Sequence, residues 1–208
     1  VPETQNFYSQ FKTESLVAEL LKRVGVKHQV CCELGAWDGI KFSNIAHLVR
    51  HQGWSGVFVE GNEERAIQCK MNYADYPQAT VIHAWVTSDN VDDLVPKDCD
   101  FLSVDIDGND YWVFKSLSHR PRLIEIEYNH RKKGVEPYPY DPHFNFRKQG
   151  IDKRHVQAGA AAFILLAESL DYYFLTSDGQ CNLFFAPEEV VCPRDHFWGR
   201  PTIAASDK

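Results

Sequence analysis

The stretch Val30-Cys31-Cys32-Glu33-Leu34-Gly35-Ala36-Trp37-Asp38-Gly39 constrains this chain more than any other. It reads as a short buried strand ending in an acid, then a glycine-bounded turn that opens a helix. Such a junction cradles a nucleotide-like cofactor at the carboxyl end of a parallel strand. A dinucleotide-binding turn needs its second glycine so that the backbone can approach the pyrophosphate. Counting from Gly35, that position is Trp37 and the third glycine position is Ile40. A diphosphate has little room here, which disfavours a nicotinamide oxidoreductase. Glu33, Gly35 and Gly39 instead suit a cofactor with an amino-acid end and a nucleoside end and no phosphate between them. S-adenosylmethionine has that chemistry.

Helical and extended patterns alternate along the rest of the chain, as in a parallel sheet covered on both faces. A helical stripe (Leu16, Leu20, Leu21, Val24) precedes the first strand, expected at 29–34. A helix over 41–52 ends at Gly53. Strands follow at 56–60, 80–86, 100–106 and 122–128, with helices at 63–73, 89–94 and 110–117 between them. Each strand is short and apolar, as central parallel strands are. A helix over 156–170 leads to runs at 172–176 and 181–186, which flank Ser177-Asp178-Gly179-Gln180. An Asp-Gly pair in that setting signals a hairpin. The fold is therefore expected to be α/β, a doubly wound and mostly parallel sheet closed by a C-terminal antiparallel hairpin. Residues 1–208 form one domain, with an N-terminal helical segment over 1–28.

Periodicity vanishes between 129 and 155, where Pro137, Pro139 and Pro142 interleave with Tyr138, Tyr140, Phe144 and Phe146. A loop this long is a lid or binding loop unless it is disordered, and its aromatics argue against disorder. It is expected to close over an acceptor and exclude water.

Acids mark the strand ends. Glu60 closes the second strand in Glu60-Gly61-Asn62, where an acid accepts hydrogen bonds from both ribose hydroxyls of a nucleoside. Asp105, Asp107 and Asp110 cluster at the end of the fourth strand, with Asp110 where a helix N-cap belongs. Glu125, Glu127 and Asn129 alternate at the end of the fifth, which would put them on one side. Carboxylates on neighbouring strand tips hold a hard cation or share a proton as a general base. Asp105-Ile106-Asp107-Gly108 lacks the downstream glutamate of a calcium loop. His130 and His143, in the loop segment, are candidates to take a proton from a substrate hydroxyl. Trp85 follows the third strand, where it either stacks on adenine or belongs to the core.

With 22 basic and 29 acidic side chains the net charge is −7, which argues against nucleic acid as the main partner. The compact basic run Arg131-Lys132-Lys133 reads as a solvated turn. No apolar run approaches the roughly 20 residues that span a bilayer. Six cysteines show no metal-ligand spacing, and Cys31 and Cys32 fall inside an apolar strand. A reducing, cytoplasmic setting is expected, although the chain begins at Val1 without a methionine.

Taken in order, Glu33-Leu34-Gly35-Ala36-Trp37-Asp38-Gly39, the acid Glu60, Asp100 through Gly108, and Ile124 through Asn129 resemble class I S-adenosylmethionine-dependent methyltransferases. The likeness is to the FkbM-type group and its uncharacterised relatives, and it covers about 30–187. It implies a seven-stranded Rossmann-like sheet and methyl transfer to a hydroxyl of a sugar or other small molecule. The cofactor-binding set is Glu33, Gly35, Ala36, Gly39, Glu60, Asn62, Trp85 and Asp105. The catalytic set is Asp107, Glu127, His130 and His143. In some members of the class acids at the same strand ends hold a divalent cation, here magnesium or manganese on Asp105, Asp107, Glu127 and Asn129. The alternative is a methyltransferase-like fold that binds a nucleoside or partner without catalysis.

Overall fold

The computed structural model describes residues 8–11, 13–152 and 155–191. Seven strands form one sheet in the order β3-β2-β1-β4-β5-β7-β6. These are β1 (Val30–Leu34), β2 (Ser55–Glu60), β3 (Ala79–His83), β4 (Phe101–Val104), β5 (Leu123–Glu127), β6 (Tyr172–Ser177) and β7 (Asn182–Pro187). The first five are parallel, and β7 runs antiparallel to both β5 and β6. The chain winds outward from β1 to β3 and then returns to place β4 on the other side of β1. That reversal opens a crevice beyond the tips of β1 and β4, where ligands bind in open α/β sheets.

The period of two along each strand sends alternate residues to opposite faces. Cys31, Phe58, Phe101, Leu123 and Phe184 face one side with Val17, Leu20 and Leu21 of α1 (Thr13–Val24), Leu48 and Val49 of α2 (Ala46–Gln52), and Cys69 of α3 (Glu63–Asn72). Cys32, Leu34, Leu102, Val104, Ile124, Ile126 and Phe185 face the other. There they meet Val91 of α4 (Val91–Leu94), Val113 and Phe114 of α5 (Asp110–Ser116), and Phe163 and Leu166 of α7 (Ala160–Ser169). The remaining helix, α6 (Phe146–Gln149), lies within the long loop.

Two helices start later than their apolar pattern suggests, for one reason: nearby polar groups claim the backbone. Glu33 accepts from the N–H of Asn44 and the hydroxyl of Ser43, each at 2.7 Å, so 41–45 turn over the strand tip and α2 begins at Ala46. Before α7, Gln157 adopts a φ of 64° and Ala158 accepts from the Asn129 N–H, so the helix waits for Gly159 as its N-cap. The hairpin forms as expected, with Asp178 Oδ1 accepting from the N–H groups of Gln180, Cys181 and Asn182. Cys31, Cys32, Cys69 and Cys99 are buried free thiols and Cys181 is a half-buried one; Cys192 lies outside the described residues. Among the described residues no helix is long and apolar enough to cross a membrane.

Candidate active site

A cleft of about 440 Å³ lies over the tips of β1, β2, β4 and β5. Its floor carries Glu33, Glu60, Asp105, Asp107 and Glu127; its walls include Ala36, Trp37, Asn62, Trp85 and Phe144.

Glu60 is buried and oriented from both sides. Its Oε2 accepts from the Trp37 N–H at 2.8 Å and its Oε1 from the Asn62 N–H at 2.7 Å. A carboxylate offers about four acceptor sites, so these bonds fix its direction and still leave capacity for a diol. The Trp37 ring does not fill the crevice. It lies beneath the Arg65 guanidinium, 3.8 Å from the ring centre, with the Lys41 ammonium at 5.8 Å. Trp85 is 42% exposed and stands against Gly61, where an added Cβ would come within 2.4 Å of its ring. It forms a wall of the cleft rather than core. Ala36 and Asn62 line the same space, and Asn62 also caps α3 through Arg65 N–H.

Gly35 lines the cleft, but a tighter demand fixes its identity. A Cβ there would lie 1.8 Å from the Asp105 carbonyl oxygen, so the β1 and β4 tips can meet only at glycine. Gly39 is not brought to the cleft. It packs against Cys69 and Tyr73, and its carbonyl accepts from the Tyr73 hydroxyl at 2.7 Å.

Asp105, Asp107 and Glu127 each present an oxygen atom, and these lie within 4.8 Å of one another. Asp105 faces the cleft opening; the protein packed around it, and the charges of Glu127, Asp107 and Asp110, push its pKa well above the carboxylate range. Asp107 is held at a φ of 61°, in the left-handed region, a conformation that non-glycine residues adopt at a cost and that concentrates at functional sites. Asp110 supports that turn. It is the first residue of α5 rather than the N-cap, and it accepts from the N–H groups of Ile106 and Gly108 at 2.9 and 2.8 Å. Burial and the Glu127 charge raise its pKa to about 7, against those two bonds. Burial likewise raises Glu33 to about 7, with Ser43 and Asn44 opposing.

The remaining expected residues lie elsewhere. Asn129 is buried, with its Nδ2 donating to the Val156 carbonyl and its Oδ1 accepting from the Arg131 N–H, so it braces the loop, and it does not line the cleft. His130 and His143 are exposed and line no part of the cleft. The loop itself is a built wall. Trp112 Nε1 donates to the Tyr138 carbonyl and Asn109 Nδ2 to the Asp141 carbonyl, each at 2.7 Å, while the Tyr140 hydroxyl accepts from the Ser88 N–H. Of the aromatics expected to close on an acceptor, Phe144 lines the cleft, seated over Gly108; Tyr138 packs behind it at 5.3 Å.

Sequence reasoning missed Gln157, whose Nε2 donates to Glu127 Oε2. It also missed the rim residues Lys41, Arg65 and Arg147. Their spacing carries no motif; the loop turns bring them in.

No family model matches the chain, and no curated protein matches it. Solved structures do. The chain aligns with a candidate sarcosine dimethylglycine methyltransferase from Galdieria sulphuraria at a TM-score of 0.54 and 16% identity, over 79% of this chain and 63% of that one. It thus spans less than two thirds of that protein. Magnesium protoporphyrin IX methyltransferase from Synechocystis PCC 6803, with S-adenosylhomocysteine bound, aligns at a TM-score of 0.55 and 13% identity, over 85% of this chain and 83% of that one. An O-methyltransferase from Bacillus cereus, also with S-adenosylhomocysteine, aligns at 0.51 and 19%, over 85% and 80%. The fold is the seven-stranded, Rossmann-like methyltransferase fold.

Proposed function

We propose that this chain is an S-adenosylmethionine-dependent methyltransferase acting on a hydroxyl group of a small molecule. The observation that carries the reading is Glu60, buried at the crevice between the β1 and β2 tips and aimed by two backbone N–H groups. It is placed to grip a ribose diol. Trp85 with Ala84 and Val86 supplies a surface for adenine, and Asp105 an acceptor for the amino group of the methionyl end. These residues suit the cofactor part by part.

When bound, S-adenosylmethionine supplies an electrophilic methyl group on a sulfonium. The protein's task is alignment, which is worth about 7–11 kcal/mol when reacting atoms are held in line. Asp107 and Glu127 lie beside Asp105 on the acceptor side, and either carboxylate is placed to take the hydroxyl proton. Gln157 holds Glu127 in position. Phe144 and the bonded loop behind it keep water from that side. The all-oxygen set Asp105, Asp107 and Glu127 also fits a hard divalent cation, magnesium or manganese, which would acidify the hydroxyl.

Calorimetric titration tests the cofactor assignment directly. Binding of S-adenosylmethionine and S-adenosylhomocysteine is expected, with none of a nicotinamide dinucleotide. The reverse pattern overturns the assignment.

A further inference from the structure

Four residues of the cleft close on one another in a ring. Glu60 Oε2 accepts from the Trp37 N–H at 2.8 Å, and the centre of the Trp37 ring lies 3.8 Å from the Arg65 guanidinium carbon. The Arg65 N–H donates to Asn62 Oδ1 at 3.1 Å, and the Asn62 N–H returns to Glu60 Oε1 at 2.7 Å. All four residues line the cleft. The ring ties the turn after β1 to the turn after β2, so each oxygen of Glu60 is held from a different turn. Three of the links use backbone N–H groups. The fourth, Arg65 on Trp37, joins two side chains, and it alone depends on which residue stands at 65.

Arg65 sits where helix electrostatics disfavour it. It is the third residue of α3, after Glu63 and Glu64, and a cation in the first turn opposes the dipole that those acids complement. Among the described residues it forms no ion pair. Its guanidinium lies on the indole instead, the aromatic face that attracts a cation best. Trp37 needs such a hold. It is 37% exposed and its φ is 51°, so neither burial nor backbone preference keeps it in place. Were its turn to relax, the N–H would leave Glu60 Oε2, and the carboxylate would be held from the Asn62 side alone. Resting on the reading of Glu60 as the grip on a ribose diol, we infer that Arg65 is a positioning residue: its stack on Trp37 keeps the Trp37 N–H on Glu60, and so keeps that carboxylate aimed at the cofactor's ribose. Arg65 thereby sets specificity for an intact diol through Glu60 rather than by contact with the ligand.

Calorimetry on the full chain with adenosine and 2′,3′-dideoxyadenosine isolates the diol, and S-adenosylhomocysteine is titrated alongside. Wild type should prefer adenosine by about tenfold or more, the worth of a charge-assisted hydrogen bond. Arg65→Ala keeps the backbone N–H on Asn62 and removes only the stack. There the preference should shrink to about threefold or less, through weaker adenosine binding, with dideoxyadenosine affinity unchanged. Glu60→Gln should lose the preference too, and adding Arg65→Ala to it should change nothing further, since both act through one carboxylate. The same preference in wild type and Arg65→Ala, equal weakening of both nucleosides, or losses that add in the double variant each overturn the inference. Should Arg65→Ala lose the native circular dichroism spectrum, Arg65→Gln carries the same comparison. If adenosine binds and S-adenosylhomocysteine does not, the methyltransferase reading fails, and the nucleoside pair still decides the role of Arg65. If neither binds, both fall.

Discussion

The backbone N–H of Trp37 donates to Glu60 Oε2 at 2.8 Å, making the turn after β1 and the acid closing β2 one unit. Trp37 holds a φ of 51° to do so. The left-handed conformation costs roughly 1–2 kcal/mol, and a hydrogen bond to a charged group returns about 1.5–3 kcal/mol. Replacing Glu60 by Gln puts an N–H₂ where one backbone N–H must be accepted, and removes the charge that would bind a diol. Affinity for S-adenosylhomocysteine should fall about 10- to 100-fold, with the circular dichroism spectrum unchanged. Calorimetry on the two proteins checks this, and equal affinity would remove Glu60 from the site.

Asp107 and Glu127 should separate chemistry from binding. In Asp107→Asn and Glu127→Gln, S-adenosylhomocysteine affinity should stay within a few-fold of wild type. Methyl transfer to any acceptor found by mass spectrometry should drop by about 10²–10⁴, the usual worth of a positioned base. Gln157→Ala should lower turnover less than Glu127→Gln, because it frees a carboxylate that remains present. Manganese binding followed by electron paramagnetic resonance tests the cation arm of the same cluster: if manganese binds there, Asp107→Asn should weaken it.

The fold was legible because its signals are local. Period-two runs fix which side chains enter the sheet, and Glu33, Glu60, Asp107 and Glu127 reach the cleft because strand tips in a doubly wound sheet converge there. Alternation stops predicting side-chain direction where the strands end. Glu125 and Glu127 obey alternation, but β5 ends at Glu127, and Asn129, one step on, is drawn to the Val156 carbonyl instead. Gln157 reaches Glu127 through a left-handed backbone that no pattern announces. In the proline-rich loop, spacing does not announce which aromatics meet. Tyr138 packs on Phe144 and Tyr140 lies near Trp112.

Gly35 and Gly53 separate two reasons for the same residue. Both have positive φ, 92° and 73°. A Cβ at Gly53 meets nothing within 4 Å, whereas at Gly35 it would sit 1.8 Å from the Asp105 carbonyl oxygen. Gly53→Ala should cost only the backbone term, about 1 kcal/mol. Gly35→Ala must also push β4 away from β1, at a cost of about 3 kcal/mol or more. Urea denaturation of both variants measures the difference. Comparable losses would mean that the strand tips give way easily.

Glu125 lies in register with Ser103 and one strand further from Glu33, 1% exposed, and neither carboxylate oxygen has a hydrogen-bond partner among the described residues. Burial, then the charges of Glu33 and Asp178, raise its pKa well above 4.5. The folded chain therefore keeps a proton that the unfolded chain releases. Stability from this group is fully present below pH 4.5 and is lost as pH rises from there towards the raised folded value. Glu125→Gln stays neutral in both states and has no such dependence. Below pH 4.5 the two proteins should differ little. Above it the variant should gain about 1.4 kcal/mol per pH unit relative to wild type while Glu125 remains protonated in the fold. Denaturant midpoints collected between pH 4 and 8 give the slope (against the glutamine protein, so that Glu33 and Asp110 largely cancel). A flat difference across that range would mean that Glu125 is solvated or paired in solution, and that the sheet bears no penalty for an acid at its centre.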